Sequence, residues 1–298
     1  MAKPLMIKDA SKNYFIYQIL VVGAGANGSH FFRNLLQMIR THLNKFGNNP
    51  NFSVDITIAD RDEVEFKNLG NQLFDEEDIG DYKVTSLAER YGDHYDIEVK
   101  RVKEYVKDLD MLHRLLPTLD VADNVQVIPI LCSMVDNNKS RQLFNDYFYS
   151  KGVEDLIYLD TGVEGVTVLN KDEKDYSQED WERINSSGFG GQVVCGVKMN
   201  GEVFLEPVGR IYTNILEDAH SAFPDESCGE FIINNPQRVM TNQIAAQLSS
   251  VYMNNLLHIG GVITHRTEFN SQFGGSRPIF ISNEVIERAE QIKKPSTV

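Results

Sequence analysis

Residues 14–28 read YFIYQILVV-GAGANG, and the fold follows from how that string changes character at residue 23. The first nine residues, Tyr14–Val22, are mostly β-branched or aromatic and predict a strand. Residues 29–43 then place apolar side chains at helical spacing. Between them Gly23, Gly25 and Gly28 form G-x-G-x-x-G, so the order is strand, tight turn, helix. In that context the glycines let the backbone and the positive helix N-terminus approach phosphate or ribose oxygens without side-chain clash. A tight turn that binds nothing is the alternative reading.

Working outward, the turn-rich stretch 46–51 leads to a second strand, SVDITIA at 53–59, which ends at Asp60. A carboxylate there can accept both ribose hydroxyls. The pattern continues with a helix over 78–91, a short strand at 97–99, a helix over 107–116 and an apolar strand at 125–132. A helix over 138–149 and a strand at 156–160 complete it. Such alternation predicts an α/β fold, a Rossmann-like doubly wound and mainly parallel sheet with helices on both faces.

From about residue 165 the rhythm shifts to extended runs at 166–169, 192–199 and 202–205, with turns such as Asn200-Gly201, so hairpins replace crossovers. The acidic segment 171–182 reads as a solvated loop. A poorly patterned stretch, 207–236, precedes a long helical signal at 238–257, and the tail 292–298 reads as disordered. We therefore expect one domain over 1–298, with a nucleotide-binding half at 14–165. The half at 166–290 would hold the antiparallel strands, a crossing segment and the C-terminal helix.

The 298 residues are 42% apolar and 24% charged, with a formal net charge of −14. No run approaches the roughly 18 apolar residues of a spanning helix, and the N-terminus carries no export pattern, so a soluble, cytoplasmic protein is expected. Without clustered Lys and Arg the chain is not suited to nucleic acid. Its acidity would steer in a basic-faced protein partner, although acidic balance is also ordinary for a soluble protein. Cys132, Cys195 and Cys228 are too few for a disulfide framework, and with no C-x-x-C pair no zinc is expected. The seven histidines show no ligand spacing, and His30 reads as a packing residue.

Beyond Asp60 the chain reads Asp60-Arg61-Asp62-Glu63-Val64, Asn68-Leu69-Gly70-Asn71-Gln72, Asp78-Ile79-Gly80 and Lys83. Val135-Asp136-Asn137 follows, then Arg141, and finally Thr161-Gly162 through Gly165. This ordered set resembles the ThiF/MoeB/HesA family, bacterial relatives of ubiquitin-activating enzymes. Their pattern is D-x-D-x-V, N-L-x-R-Q, D-I-G-x-x-K and D-N-x-x-x-R, and the resemblance covers roughly residues 19–257. It implies an ATP site formed by Gly23, Gly25, Gly28, Asp60, Asp62, Asn68, Asn71, Gln72, Lys83, Asn137 and Arg141. Asp60 would hold the ribose, Asn68, Gln72 and Lys83 the phosphates, and Asp136 a Mg2+ ion. Lys83 and Asp136 would carry the catalysis. The implied reaction is adenylation of the C-terminal carboxylate of a ubiquitin-like or sulfur-carrier protein, by a homodimer that can hand its product to a ubiquitin-conjugating-type protein.

Two positions leave alternatives open. Asn71 stands where the family pattern has arginine, which removes a fixed cation from the phosphate site. Arg33, Arg61, Arg90 or an arginine of a second subunit are the candidate substitutes. Cys228 lies where some relatives keep a thioester-forming nucleophile, but Asp225 and Glu226 beside it would raise its thiol pKa, so an idle cysteine is equally compatible. Cys132 and Cys195 read as core. The competing functions are a non-catalytic scaffold of the same fold and an enzyme adenylating a ribosomal peptide. A nicotinamide dehydrogenase ranks last, because it leaves Asp136-Asn137 unexplained.

Overall fold

The computed structural model describes residues 2–46, 50–224 and 237–293. Its strands are β1 (Leu5–Met6), β2 (Tyr14–Val22), β3 (Phe52–Ala59), β4 (Val99–Val102), β5 (Val125–Ser133), β6 (Leu156–Val163), β7 (Gly190–Met199), β8 (Glu202–Leu205), β9 (Gly261–Val262), β10 (Thr264–Asn270) and β11 (Gly275–Phe280). Among the described residues nine strands form one sheet in the order β11-β10-β7-β6-β5-β2-β3-β4, with β8 added beside β7. The strands β4, β3, β2, β5 and β6 are parallel. The remaining four pair antiparallel.

The helices used below are α1 (Ala26–Phe46), α2 (Lys83–Leu87), α3 (Leu109–Leu115), α4 (Asn138–Tyr149), α5 (Gln178–Ser186), α6 (Val239–Ile259) and α7 (Asn283–Lys293). Alternation along β2 sorts its side chains to two cores. Phe15, Tyr17, Ile19 and Val21 pack with Phe31, Leu35 and Ile39 of α1 and with Met253 and Leu256 of α6. Leu20 and Val22 pack on the other face with Leu112 of α3 and Phe144 and Phe148 of α4. A strand covered on both faces must be apolar at nearly every position, which is why YFIYQILVV is so uniform. Register then sets the strand ends level, because Val22 pairs with both Ala59 and Ser133.

Several sequence expectations shift. The helix expected from 78 starts only at Lys83, because Gly80 turns the chain through a positive φ of 92°. Residues 166–169 form no strand: β6 and β10 already occupy the two sides of β7, and the Thr167 N–H bonds the Ser187 hydroxyl instead. The acidic loop 171–182 gives way to α5 at Gln178, capped by reciprocal bonds between Ser177 and Asp180. The hairpin β10–β11 and helix α7 were not read from the sequence at all. Helix α7 includes Ile292 and Lys293 of the tail expected to be disordered, and 294–298 lie outside the described residues. The turn Asn200-Gly201 does join β7 to β8, with both φ angles positive at 51° and 76°.

A buried ion pair braces the strand ends. Arg141 of α4 donates from Nε to both oxygens of Asp160 at 3.2 Å, and from Nη2 to the Val135 carbonyl at 2.7 Å and the Thr161 carbonyl at 3.2 Å. Asp160, fully buried in β6, also accepts the Ser133 hydroxyl of β5 at 2.7 Å. One guanidinium thus joins β5, β6 and α4. Asp160→Ala leaves that cation buried without its counter-charge, and a loss of about 3–5 kcal/mol in urea unfolding is expected. A change under about 1 kcal/mol would show the brace to be dispensable.

Candidate functional site

A cleft of about 540 Å³ opens at the C-terminal ends of the parallel strands, lined by the residues that follow β2, β3 and β5. The chain leaves β2 toward β3 on one side and reaches β5 on the other, so this is the point where strand order reverses and where open α/β sheets bind ligands. Gly23, Gly25, Asp60, Asp62, Asn68, Asn71, Gln72, Lys83, Asp136, Asn137 and Arg141 all line it. Of the expected set, Gly28 does not, and Cys228 lies outside the described residues. Pro224 and Gln237, the described residues on either side of 225–236, both contribute to the wall.

The glycines divide into two kinds. Gly23 has φ +99°, and a Cβ there would sit 2.7 Å from the Met134 carbonyl oxygen. A Cβ on Gly28 would come within 2.0 Å of the Gly23 carbonyl oxygen. Both are glycine for packing. Around Gly25 an added Cβ meets nothing within 4 Å, so it faces the open cleft and only a ligand would notice a side chain.

Two carboxylates form the next wall. Asp60 accepts the Ala24 N–H at 2.6 Å and the Asp62 N–H at 2.8 Å, one on each oxygen. Burial, with the nearby Asp62 charge, pushes its carboxyl up to about 6, against the pull of Lys83 and those two donors. For Asp62 burial also acts upward, but the Lys83 charge, the Tyr105 hydroxyl and Lys67 outweigh it and hold the group below the ordinary carboxylate range. Lys83, 5% exposed, donates to Asp62 at 2.9 Å, and Tyr105 donates to the other oxygen.

Three more of the expected ligands have structural partners as well. Asn68 accepts the Glu65 N–H at 2.8 Å, Asn137 caps α4 by accepting the Ser140 N–H at 2.8 Å, and Arg141 is held by the brace. None of Arg33, Arg61 and Arg90, the substitutes within the chain considered at Asn71, lines the cleft. Arg90 is paired with Asp78 at 2.6 Å and Asp75 at 3.0 Å, Arg33 donates to Asn34, and Arg61 is exposed. Asp136 is exposed on the cleft rim, and among the described residues no three His, Cys, Asp or Glu side chains gather to cage a metal. A lone carboxylate suits Mg2+, which keeps waters and takes further oxygens from substrate phosphates. Asn27 and Tyr105 line the cleft without having been singled out in the sequence.

The ThiF family model matches residues 1–186. This chain belongs to the ThiF family. No curated protein sequence matches it. Its fold is similar to E. coli MccB in the crystal structure with succinimide, at TM-score 0.53 and 14% identity over 91% of this chain and 65% of that one. The MccB structure with AMPCPP and MccA gives 0.51 and 14% over 89% and 64%, and that with ATP gives 0.50 and 16% over 91% and 65%. The ThiF-family chain thus spans just under two thirds of these neighbours' length. Among its described residues no helix is long and apolar enough to cross a membrane.

The two kinds of glycine predict opposite results. Gly28→Ala should lower stability by about 2 kcal/mol or more through overpacking. Gly25→Ala should leave the melting temperature nearly unchanged and weaken ATP binding in calorimetry; the reverse pattern would overturn the assignment. The resemblance implies a ribose on Asp60, and only an ionised carboxylate accepts two hydroxyls; on that expectation adenosine affinity should be full above pH 7 and fall as pH drops through about 6. Titration in Asp60→Asn should remove that dependence, and an unchanged profile would exclude Asp60 as its source.

Proposed function

We propose that the chain is an ATP-dependent adenylyltransferase acting on the C-terminal carboxylate of a small carrier protein, ubiquitin-like or sulfur-carrying, or of a peptide. The observation that carries this reading is the single cleft in which the glycine turn, Asp60, Lys83 and Asp136 meet at the sheet's switch point. Support also comes from the neighbouring MccB structures with ATP and with AMPCPP and MccA.

In this reading Asp60 receives the ribose hydroxyls, and the first turn of α1 directs unpaired N–H groups at the phosphates. No acidic residue in that turn opposes them. A substrate carboxylate oxygen attacks the α-phosphorus, the bond to the β-phosphate oxygen breaks, and pyrophosphate leaves with the electron pair. Lys83, with one N–H on Asp62, has two further N–H donors for phosphate oxygens. Asp136 would hold Mg2+, which offsets phosphate charge. Positioning and charge neutralisation carry the chemistry.

The finer assignments belong to the same proposal. The nucleotide half is 14–165 and the carrier-binding half 166–290 of one domain, working in the cytoplasm as a homodimer, with a ubiquitin-conjugating-type protein as acceptor. Cys228 is the candidate nucleophile for thioester transfer.

A specific observation favours a second reading, a non-catalytic scaffold. Each cation lining the cleft is matched by a carboxylate: Lys83 by Asp62, Arg141 by Asp160 and Lys67 by Glu65 at 2.9 Å. Exchange of labelled pyrophosphate into ATP, stimulated by a carrier ending in Gly-Gly or by a peptide, separates the two. It should drop roughly 100-fold or more in Asp136→Ala. Background exchange with every acceptor, alongside intact ATP binding, would reject adenylation in favour of the scaffold.

A further inference from the structure

Strand β6 starts late beside β5. The two pair only from Ile130, opposite Ile157, so residues 125–129 of β5 have β2 on one side and, among the described residues, no strand on the other. Backbone hydrogen bonds alternate between the two sides of a parallel strand. The Asn124 carbonyl accepts the Tyr14 N–H of β2, so Val125, Val127 and Pro129 turn their backbone groups the other way. Pro129 has no N–H for a ladder and is tolerated in a central strand because its nitrogen faces that open side. Val127 points both an N–H and a C=O there, and no described group from outside the strands bonds either.

This notch is a cavity of about 500 Å³ at the end of β5 away from the glycine turn. Its floor is Val125, Val127 and Pro129, each part-exposed. Hydrogen bonds hold the walls apart. Gln126 accepts the Asp9 N–H at 2.8 Å and donates to the Ile7 carbonyl at 3.1 Å, which fixes the segment before β2. Gln18 donates to the Pro117 carbonyl at 3.2 Å, which fixes the loop after α3. The chain entering β6 is held toward the β7–β8 turn, because the Asn200 N–H bonds the Asp155 carboxylate at 2.9 Å and the Gly201 N–H bonds the Glu154 carbonyl at 2.9 Å. Tyr147 lines the cavity at 2% exposure, and its hydroxyl has no hydrogen-bond partner among the described residues. A buried hydroxyl is normally paired. Three carboxylates, Asp9, Glu154 and Asp155, line the cavity against one lysine, Lys12.

We propose that the notch binds a short extended peptide segment of a partner protein, lying beside β5 where β6 is absent and carrying apolar and basic side chains in alternation. Strand addition of this kind takes its affinity from main-chain bonds and its specificity from pockets for alternate side chains. The open edge is about 13 Å long at roughly 3.3 Å per residue, enough for four or five residues. One set of side chains meets Leu116 and Val153, which line the cavity on the face of β5 that carries Val127. The other set points to the opposite face, where Gln126 holds Asp9. A lining of three carboxylates on a chain of net charge −14 attracts a basic segment and repels an acidic one. The nucleotide cleft lies at the other end of β5, so the inference stands apart from the nucleotide reading.

Calorimetry of the whole chain with the acetylated and amidated hexapeptide Lys-Val-Lys-Val-Lys-Val tests this. Three analogues accompany it: one with Glu in place of Lys, one N-methylated at every Lys and one N-methylated at every Val. An added strand bonds along one edge only, so one methylated form should bind about tenfold more weakly or worse and the other within about threefold of the parent. The Glu peptide should also lose about tenfold or more, and Glu154→Lys, a change at an exposed residue, should weaken the Lys peptide about threefold or more. In the complex the Val127 amide hydrogen should exchange about tenfold more slowly or less, while ATP affinity moves by less than about twofold. Equal effects of the two methylations, an unprotected Val127 amide or no saturable binding at millimolar peptide would each overturn the peptide site. Butylammonium binding as tightly as the peptide would do the same and mark a small-molecule pocket instead.

Discussion

The closeness of two backbone segments governs this molecule: the Gly28 α-carbon lies so near the Gly23 carbonyl that a methyl group there would be 2.0 Å from its oxygen. That contact lets α1 begin at Ala26, with only three residues between it and the end of β2, and its N–H groups facing the cleft. Gly23 makes the second close approach, against the Met134 carbonyl that follows β5. Asp60 makes the third link by accepting the Ala24 N–H from beyond β3. The ends of β2, β3 and β5 are therefore locked around one turn, and the cleft is the space left between them. A side chain at either packing glycine would push these ends apart.

Charge in the cleft is arranged in pairs, and the pairs explain why two neighbouring carboxylates behave differently. Lys83 and Tyr105 both donate to Asp62, so Asp62 is the stabilised anion. Asp60 has only backbone donors and feels both its burial and the Asp62 charge, so its proton is held to a higher pH. A cleft with Asp60, Asp62, Glu104 and Asp136 on its walls against Lys67, Lys83 and Arg141 is not strongly positive. Any anion bound there depends on N–H donors held in place rather than on net charge, and the helix end is of that kind.

The central strands were legible because burial on both faces leaves no freedom in their composition. Strand Tyr14–Val22 matches the structure end to end, and so does helix Asn138–Tyr149 beside the sheet. The site residues from Asp60 to Asp136 were legible through their resemblance to the ThiF/MoeB/HesA pattern, and they do converge. What each one does was less so. Arg141 reads as a ligand in the motif, yet its guanidinium is held by Asp160 and two carbonyls, contacts between segments that no local pattern encodes. Tyr105 reaches Asp62 from 43 residues away and carries no motif. The Ser177 and Asp180 cap was present in the sequence, but the acidic composition around it suggested a solvated loop. The strands β10 and β11 were missed because their side chains are largely polar or part-exposed and lack the apolar signal of the central strands.

The antiparallel part of the chain also bears on the cleft. Helix α6 runs beside α1 in the same direction, with Asn34 bonded to Ser250 at 3.2 Å and the His42 ring set edge-on to His258 at 4.8 Å, each pair separated by 216 residues. Parallel neighbours in register place both N-termini at the same end, so the positive ends of two 21-residue helices point the same way. Gln237, two residues before α6 starts, lines the cleft, and Thr161 at the end of β6 bonds Ser249 in the middle of α6. The cleft's lining therefore includes residues beyond 186, Pro224 and Gln237, and its shape requires both parts of the chain.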